Sequence, residues 1–359
     1  MKYPEETHYL QTSFFGLLDP NQTNCTALYD LAPRHIHRVE RKDGSAYLTG
    51  IKREFTFAGE LYRVTVTPAR ITGPDGSERD ELPGEREQLV EDVIRRLAAD
   101  NLNIRDCEQI ELPFTIYRIQ MELKRHSHTF SKQEIKEALH ILNKSTIEIT
   151  KVVAPGDRKP KPVVSASAFP VLAFRDENDS QSSAFVQLNP LLVQAIKSLA
   201  FEQINYDWMM QVKGPLARWI FKYISLMLTN VGEDRASIKI CASEIARSFG
   251  HIRARWRATL AEIEKAIERL DEFEIIHDYV KKDIFEGKKK VDILFDLKFS
   301  EKFIADRHKA RLKSSFMESE AERIAGTSSL KRFHPITTEQ ASLIKFESRK
   351  LMALEAETA

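Results

Sequence analysis

The chain has 359 residues, of which 54 are basic and 53 acidic, so its formal net charge is +1. A hydrophobic content of 42% is enough to build folded cores and excludes a wholly disordered chain, and the balanced charge excludes a uniformly basic surface. Three widely spaced cysteines give no zinc or disulfide pattern, and because no apolar run reaches about 18 residues we expect a cytoplasmic chain without membrane contact.

The N-terminal part is predicted to be rich in β-strand. Apolar and polar residues are interspersed over Tyr47–Lys52 and Glu54–Pro68, a pattern typical of strands with one buried face. The stretch "TGPDGSERDELPG" that follows contains the glycine, proline and aspartate residues of turns. We therefore predict a boundary after residue 83.

Three helices and a β-hairpin are predicted next. The helices cover residues 85–100, Thr115–His126 and a segment that starts at Ser131, where "SKQE" has the form of a capping box. The pattern then changes to period two in "STIEITKVV", and the basic loop "APGDRKPKP" follows. The strands "SAFPVLAF" and "AFVQLNP" flank the polar turn "RDENDSQSS" and form the predicted hairpin.

The same order of elements recurs toward the C-terminus. Gly214–Leu228 is predicted to be a helix, "ASIKI" a strand, and Ser243–Phe249 and Ile252–Phe273 a short and a long helix. The strands "EIIHDYVKKDI" and "VDILFDLKFS" form the second predicted hairpin around "FEGKKK". We expect Trp256 to belong to the apolar stripe of the long helix.

These elements predict an α+β fold with two tandem winged-helix domains, each a helix-turn-helix closed by a β-hairpin. The predicted boundaries are residues 1–83 for a small N-terminal β-rich extension, 84–203 for the first winged-helix domain, 204–313 for the second, and 314–359 for a partly helical C-terminal tail.

Positive charge is concentrated where a winged-helix protein contacts DNA. The start of the recognition helix enters the major groove, where arginine can bind guanine, and the hairpin contacts phosphates. The candidate DNA-binding residues are Arg253, Arg255, Arg257, Lys265, Lys281, Lys282, Lys288, Lys289 and Lys290 in the second domain, and Lys132, Lys136, Arg158, Lys159 and Lys161 in the first. A solvated basic turn and a capped surface helix are the competing interpretations, and cations at both places in both domains favour double-stranded DNA.

Two segments resemble a known protein family. "SSAFVQLNPLLVQAI" (Ser182–Ile196) and "INYDWMMQVKGPLARWIFKYISLML" (Ile204–Leu228) are similar to the link and the following helix in initiators of theta-replicating, broad-host-range plasmids. The resemblance covers about residues 85–300 and implies tandem winged-helix domains.

The resemblance also implies a function and its partners. Such initiators bind repeated origin sequences (iterons), aid strand opening at an AT-rich stretch, and recruit the host initiator and replicative helicase, and their homodimers repress their own gene. On this chain the resemblance implies that Arg253, Arg255 and Arg257 begin the recognition helix of the second domain. Lys132 and Lys136 would play the corresponding part in the first domain.

Two other functions stay open from the sequence. A winged-helix transcriptional repressor or partition regulator would need the same groove-reading residues, but it would bind one palindrome and leave the duplex closed. A rolling-circle nicking enzyme could use His35 and His37 of "RHIHRV" as a metal-binding pair, although no tyrosine with a lysine partner is evident nearby. The chain has no glycine-rich phosphate loop, so we expect no enzyme activity, no metal and no cofactor.

Overall fold

The computed structural model describes residues 21–36, 45–57, 60–73, 75–101, 111–152, 162–197, 200–229, 237–250 and 255–325. These residues form a mixed helix and sheet fold. Four of the predicted DNA-binding residues, Arg158, Lys159, Lys161 and Arg253, lie outside the described residues, and so does His37 of the predicted metal pair.

The N-terminal part consists mainly of strands, as the sequence predicts. In chain order the elements are β1 (Gln22–Cys25), α1 (Ala27–Leu31), β2 (Ile51–Phe57), β3 (Glu60–Thr67), β4 (Ala69–Thr72) and β5 (Glu78–Glu81).

The middle of the chain contains the first group of helices. Its elements are α2 (Glu85–Asn101), β6 (Glu111–Phe114), α3 (Ile116–Arg125), α4 (Lys132–Lys144), β7 (Thr146–Lys151), β8 (Pro162–Ala166), β9 (Val171–Phe174) and β10 (Ala184–Gln187). A linking region follows with α5 (Pro190–Lys197), β11 (Glu202–Asn205) and α6 (Tyr206–Gln211).

The C-terminal part contains the second group of helices and a long hairpin. Its elements are α7 (Pro215–Thr229), β12 (Ser237–Cys241), α8 (Ala242–Phe249), α9 (Trp256–Glu272), β13 (Ile276–Glu286), β14 (Lys289–Phe299) and α10 (Glu301–Ala325). Helix α10 continues through residue 313, where the sequence predicted a boundary.

One arrangement of helices and strands occurs twice. We call α2, β6, α3, α4, β9 and β10 the first lobe, and α7, β12, α8, α9, β13 and β14 the second lobe. Each lobe follows the order helix, strand, helix, helix, strand, strand, and the sheets run β6-β10-β9 and β12-β14-β13, so the last strand lies in the middle of each. The repeat predicted from the sequence is therefore also present in the strand pairing.

Local sequence signals account for several helix ends. The side chain of Ser131 accepts from the backbone N–H of Glu134 at 3.2 Å, and the Glu134 carboxylate accepts from the Ser131 N–H at 2.7 Å, which is the predicted capping box. Helix α8 ends at Gly250, whose φ of 85° lies in the left-handed region. A Cβ there would lie 3.2 Å from Pro33 and 3.3 Å from Arg53, so glycine also permits close contact with the N-terminal part.

The strands before and after residue 83 form one sheet. The four-stranded sheet has the order β2-β3-β7-β8, and β3 pairs with β7 through Val64↔Ile149 and Val66↔Ile147. Those four side chains are at most 1% exposed and belong to a core that extends into both lobes. The segment expected to be a separate extension therefore shares its sheet with a hairpin, β7–β8, that is inserted into the first lobe.

Buried charges connect the first helices of the two lobes. Asp30 of α1 accepts from Arg95 of α2 at 2.6 Å and from Lys222 of α7 at 3.2 Å, and Lys222 also donates to Asp92 at 3.0 Å. All four side chains are less than one tenth exposed. Although burial alone would raise it, the charges of Arg95 and Lys222 hold the pKa of Asp30 well below its usual range.

Further hydrogen bonds extend this buried network along α7. Arg218 is fully buried and donates to the Gln88 side chain of α2 at 2.9 Å and to the backbone oxygens of Met209 and Val212. Trp219 donates from Nε1 to the Leu31 carbonyl of α1 at 2.9 Å. The two lobes are thus joined through polar groups that solvent does not reach, and this fixes where their helices stand relative to each other.

Candidate nucleic-acid interface

Helix α9 presents an exposed, positively charged start. Arg255 is the residue before its first turn, with extended backbone angles, and its side chain does not cap the helix. Arg255 and Arg257 are both exposed, and neither side chain has an ion-pair partner within the described chain. The opposite face is buried through Thr259, Leu260, Ile263, Ala266, Ile267 and Leu270. Because the opposite face of α9 packs against the core, Arg255 and Arg257 face solvent.

Trp256 does not lie in the core, contrary to the prediction. Its side chain is 37% exposed, and its Nε1 donates to the carbonyl oxygen of Val291 at 2.6 Å. A β-bulge in the hairpin makes this carbonyl available. Ile284 pairs with Asp292 and Phe285 pairs with Lys290, so Val291 has no partner residue opposite it. Trp256 thereby fixes the hairpin to the first turn of α9.

The same end of the hairpin is also fixed to helix α8. Asp292 on β14 accepts a hydrogen bond from the backbone N–H of Ser243, in the first turn of α8, at 3.0 Å. A backbone N–H at a helix start has no partner inside the helix, so this carboxylate satisfies one and opposes the helix dipole. The hairpin is therefore joined by a hydrogen bond to each of the helices α8 and α9.

Several hairpin lysines are neutralised by nearby carboxylates. Lys281 on β13 forms an ion pair with Glu264 of α9, and Lys290 on β14 pairs with Asp283 of β13 at 2.6 Å. The hydrogen bond from Lys281 to Glu264 raises the pKa of Lys281, so it stays charged. The glutamate thus turns toward β13.

The cations at the hairpin tip are arranged differently. Lys288 and Lys289 are exposed beside Gly287, whose φ of 61° makes the tight turn possible. Within the described part of the chain, no ion pair involves either lysine. Lys265 is exposed on α9, two turns beyond Arg257. Among these residues, the charge without an ion-pair partner in the described part of the chain is therefore at the helix start, along its outer face and at the tip. Lys282 is also exposed, on β13.

In the first lobe, helix α4 occupies the position that α9 has in the second. Lys132 is exposed and Lys136 is half-buried, and the described residues give neither of them an ion-pair partner. His140, one turn further, is 2.9 Å from Glu177, which lies in the turn between β9 and β10. The two lysines at the start of α4 therefore remain available, whereas the third turn is covered by a carboxylate.

The hairpin of the first lobe differs from the prediction in its charge. By strand order, β9–β10 corresponds to β13–β14, and residues 175–183 of its turn hold one arginine and three carboxylates, a net charge of −2. Residues 281–290 hold five lysines and two carboxylates, a net charge of +3. The basic loop predicted to be the first wing, with Arg158, Lys159 and Lys161, instead joins β7 to β8 of the four-stranded sheet. The hairpin that pairs within the first lobe is thus β9–β10, at the position predicted from the sequence, whereas the basic loop belongs to strands that pair with β3.

His35, the described member of the proposed metal pair, is part of the buried network. It is 7% exposed, and its Nε2 lies 3.7 Å from Glu91 and 3.5 Å from Arg34. Arg34 in turn forms a 2.5 Å ion pair with Glu91. Burial and the charge of Arg34 lower the pKa of His35 to about 4. His35 is therefore packed beside the buried Arg34–Glu91 ion pair. Among the described residues, no cluster of three His, Cys, Asp or Glu side chains could hold a metal ion.

Among the described helices, none has the length and apolar character needed to cross a membrane. No protein-family model matches the sequence, and no curated protein sequence matches it significantly.

Solved structures of other proteins are similar to this chain at low sequence identity. A selenomethionine structure of domains 2 and 3 of RctB is 11% identical, with a TM-score of 0.49 over 76% of this chain and 96% of that one. A second structure of RctB domains 2–3 gives 11% identity and a TM-score of 0.46 over 78% and 99% of the two chains. The Pi initiator protein in complex with iteron DNA gives 10% identity and a TM-score of 0.42 over 60% and 91%. An initiator is thus among the structural neighbours.

Proposed function

We propose that this chain is a sequence-specific, double-stranded DNA-binding protein whose two lobes are winged helices. The supporting observation is the placement of charge in the second lobe. Arg255, Arg257 and Lys265 lie on the outer surface of α9, and Lys288 and Lys289 lie at the tip of a hairpin that Trp256 fixes to the start of that helix. A positive helix start beside a positive hairpin is the arrangement with which a winged helix contacts a groove and its flanking phosphates.

The two kinds of contact have different roles in this proposal. Arginine at the helix start can donate two hydrogen bonds to a guanine edge in the major groove, which discriminates between sequences. The lysines at the tip contact phosphate, which raises affinity for every sequence and makes binding depend on salt. In the first lobe the acidic β9–β10 turn would repel phosphate, so α4 would contact DNA through Lys132 and Lys136 alone.

We further propose that the DNA-binding role is replication initiation at a plasmid origin, without catalysis by this chain. The resemblance of Ser182–Ile196 and Ile204–Leu228 to plasmid initiators supports this choice. The proposal includes repeated sites, opening of an adjacent AT-rich stretch, host initiator and helicase as partners, and action in the cytoplasm.

The recognition helix is tested by removing its arginines. Arg255→Ala and Arg257→Ala should each weaken binding to a selected site by about 1–3 kcal/mol, because a bidentate contact to guanine is lost. The site is selected by the wild-type protein from random duplexes, and affinity is measured by gel shift. Arg63→Ala is the matched control, because Arg63 is exposed on β3 and pairs with Glu54. Unchanged affinity in both α9 variants would contradict the assignment.

A second measurement separates initiation from simple regulation. An initiator should bind several direct repeats on a supercoiled plasmid and make thymines in a neighbouring AT-rich stretch reactive to permanganate. A repressor or partition regulator should protect one palindrome and leave the duplex closed. The second result would retain the DNA-binding proposal and reject initiation.

A further inference from the structure

The hairpin of the second lobe ends in an exposed aromatic side chain. Phe285 is 58% exposed, two residues before the turn of Gly287 and Lys288, and it makes no ring contact with a described residue. Burying a phenyl ring is favourable and leaving it in water is not, so a large apolar side chain at a charged tip calls for a partner.

The strand register places Phe285 on the same face of the sheet as helix α9. Side chains alternate along β13, so Tyr279, Lys281, Asp283 and Phe285 share one face. That face is covered by α9, because Lys281 forms an ion pair with Glu264. Phe285 therefore projects from the side of the hairpin that presents the arginines of α9.

Positive charge lies beside the ring at the end of the hairpin. Lys288 lies in the turn and Lys289 begins β14, and both are exposed without an ion-pair partner among the described residues, whereas Lys290, opposite Phe285 in the ladder, is paired with Asp283. Lys288 and Lys289 would bring phosphate close to the aromatic ring. A duplex fits this arrangement, since phosphate rows flank each groove and the base faces exposed when a step unstacks are apolar.

The hairpin is also joined by hydrogen bonds to the two helices of the second lobe that directly precede it. The bulge at Val291 lets the Val291 carbonyl accept from Trp256 Nε1, and Asp292 accepts from the Ser243 N–H. A tip on a freely moving loop would withdraw from the duplex instead of distorting it. The anchored hairpin transmits the binding of α9 to the tip.

We infer that Phe285 is an apolar wedge that enters the minor groove next to the site read by α9 and unstacks one base step there. This inference rests on the proposed DNA-binding function and adds a distorting activity to it. Proteins that insert Phe, Leu or Ile between base steps kink the duplex, and pyrimidine–purine steps unstack most easily. The expected target is therefore a TA or CA/TG step at one edge of the bound site.

The experiment uses the full chain and a linear duplex that wild-type protein selects from a random 30-base-pair library. Permanganate oxidises unstacked thymines, and a CA/TG step contains one thymine and a TA step two. Wild-type protein should make one such thymine hyperreactive at the edge of the footprint. Phe285→Ala should return that thymine to the reactivity of free duplex and weaken binding by roughly tenfold or less.

Two variants control for size and for surface hydrophobicity. Phe285→Leu should keep the hyperreactive thymine, because leucine also serves as a wedge. Val280→Ala should also keep it: Val280 is 57% exposed on the same strand but alternates onto the opposite face of the sheet. Thermal unfolding of each variant checks that the fold is intact.

The outcomes separate this inference from the function on which it rests. If the α9 arginine variants lose binding while the wild-type complex shows no hyperreactive thymine, the wedge is wrong and the DNA-binding proposal stands. The wedge is also wrong if the hyperreactive thymine persists with Phe285→Ala, or if it disappears equally with Val280→Ala. Failure to select any duplex overturns both.

Discussion

At the scale of single residues, His35 makes stability depend on pH. Its pKa is about 4 in the folded protein, owing to burial and to Arg34, against roughly 6.5 in an unfolded chain. Between these values the unfolded state binds more protons, so stability is fully present above about pH 6.5 and falls as pH decreases toward 4. The loss from this one group amounts to about 3 kcal/mol.

The measurement is urea unfolding at about pH 7 and about pH 5, with His35→Gln as the comparison. In His35→Gln, the free energy of unfolding should depend much less on pH, even if its value at neutral pH changes. A smaller slope of the same sign should persist, because burial also lowers the pKa of His128. An unchanged slope in His35→Gln would show that other groups cause the acid sensitivity.

Residue-level features are predictable from the sequence to different degrees. The capping box of Ser131 and Glu134 is predictable because both hydrogen bonds form within four residues. Helical spacing predicts Trp256 in the core because Trp256 lies on the same helix face as the apolar residues that are buried. The actual partner of Trp256, the Val291 carbonyl, exists only because of a bulge 35 residues away, which local sequence does not encode.

At the scale of elements, the β13–β14 hairpin should control how binding depends on salt. Replacing both Lys288 and Lys289 with alanine removes two cations that have no carboxylate partner among the described residues. The slope of log affinity against log salt concentration should then become shallower by about 1 for each lysine, and binding should weaken similarly for all sequences.

Lys52→Ala is the control for loss of a positive charge, since Lys52 is exposed on β2 outside both lobes. It should leave the salt slope near that of the wild-type protein. If the double variant keeps the wild-type slope, the hairpin tip does not contact phosphate, and the proposed wing is wrong.

The positions of helices and hairpins could be predicted from the sequence, but the pairing partners of the strands could not. Helix positions follow from apolar spacing, and the two hairpins at residues 171–187 and 276–299 lie near their predicted positions. The pairing of β3 with β7 joins segments about 80 residues apart, and nothing local specifies it. For the same reason, charge favours the basic β7–β8 loop as the hairpin contact of the first lobe, although the hairpin that pairs within that lobe is β9–β10, with its acidic turn.

At the scale of the whole molecule, the buried charges between α1, α2 and α7 should make both lobes unfold together. Lys222→Ala would remove the cation nearest to Asp92 and one of the two cationic partners of Asp30, so Arg95 alone would compensate two buried carboxylates. Breaking a buried pair in this way costs about 3–5 kcal/mol. Urea unfolding, measured by tryptophan fluorescence and by circular dichroism, should therefore show one transition at a much lower midpoint.

The control is Lys239→Ala in the second lobe. Lys239 lies 3.7 Å from Asp296 and is 53% exposed, and such surface pairs contribute about 0–1 kcal/mol. Two separate transitions in the wild-type protein, or equal losses in both variants, would contradict a shared interior.

The opposite charges of the two hairpin turns have a consequence for polarity in the proposed complex with DNA. If the molecule were turned end for end on the duplex, the three carboxylates of residues 175–183 would meet the phosphates that Lys288 and Lys289 are proposed to contact. One orientation would therefore be favoured, even though the two lobes share a framework. On the proposed direct repeats, successive copies would all have the same orientation, and the array that they form would have distinguishable front and back ends.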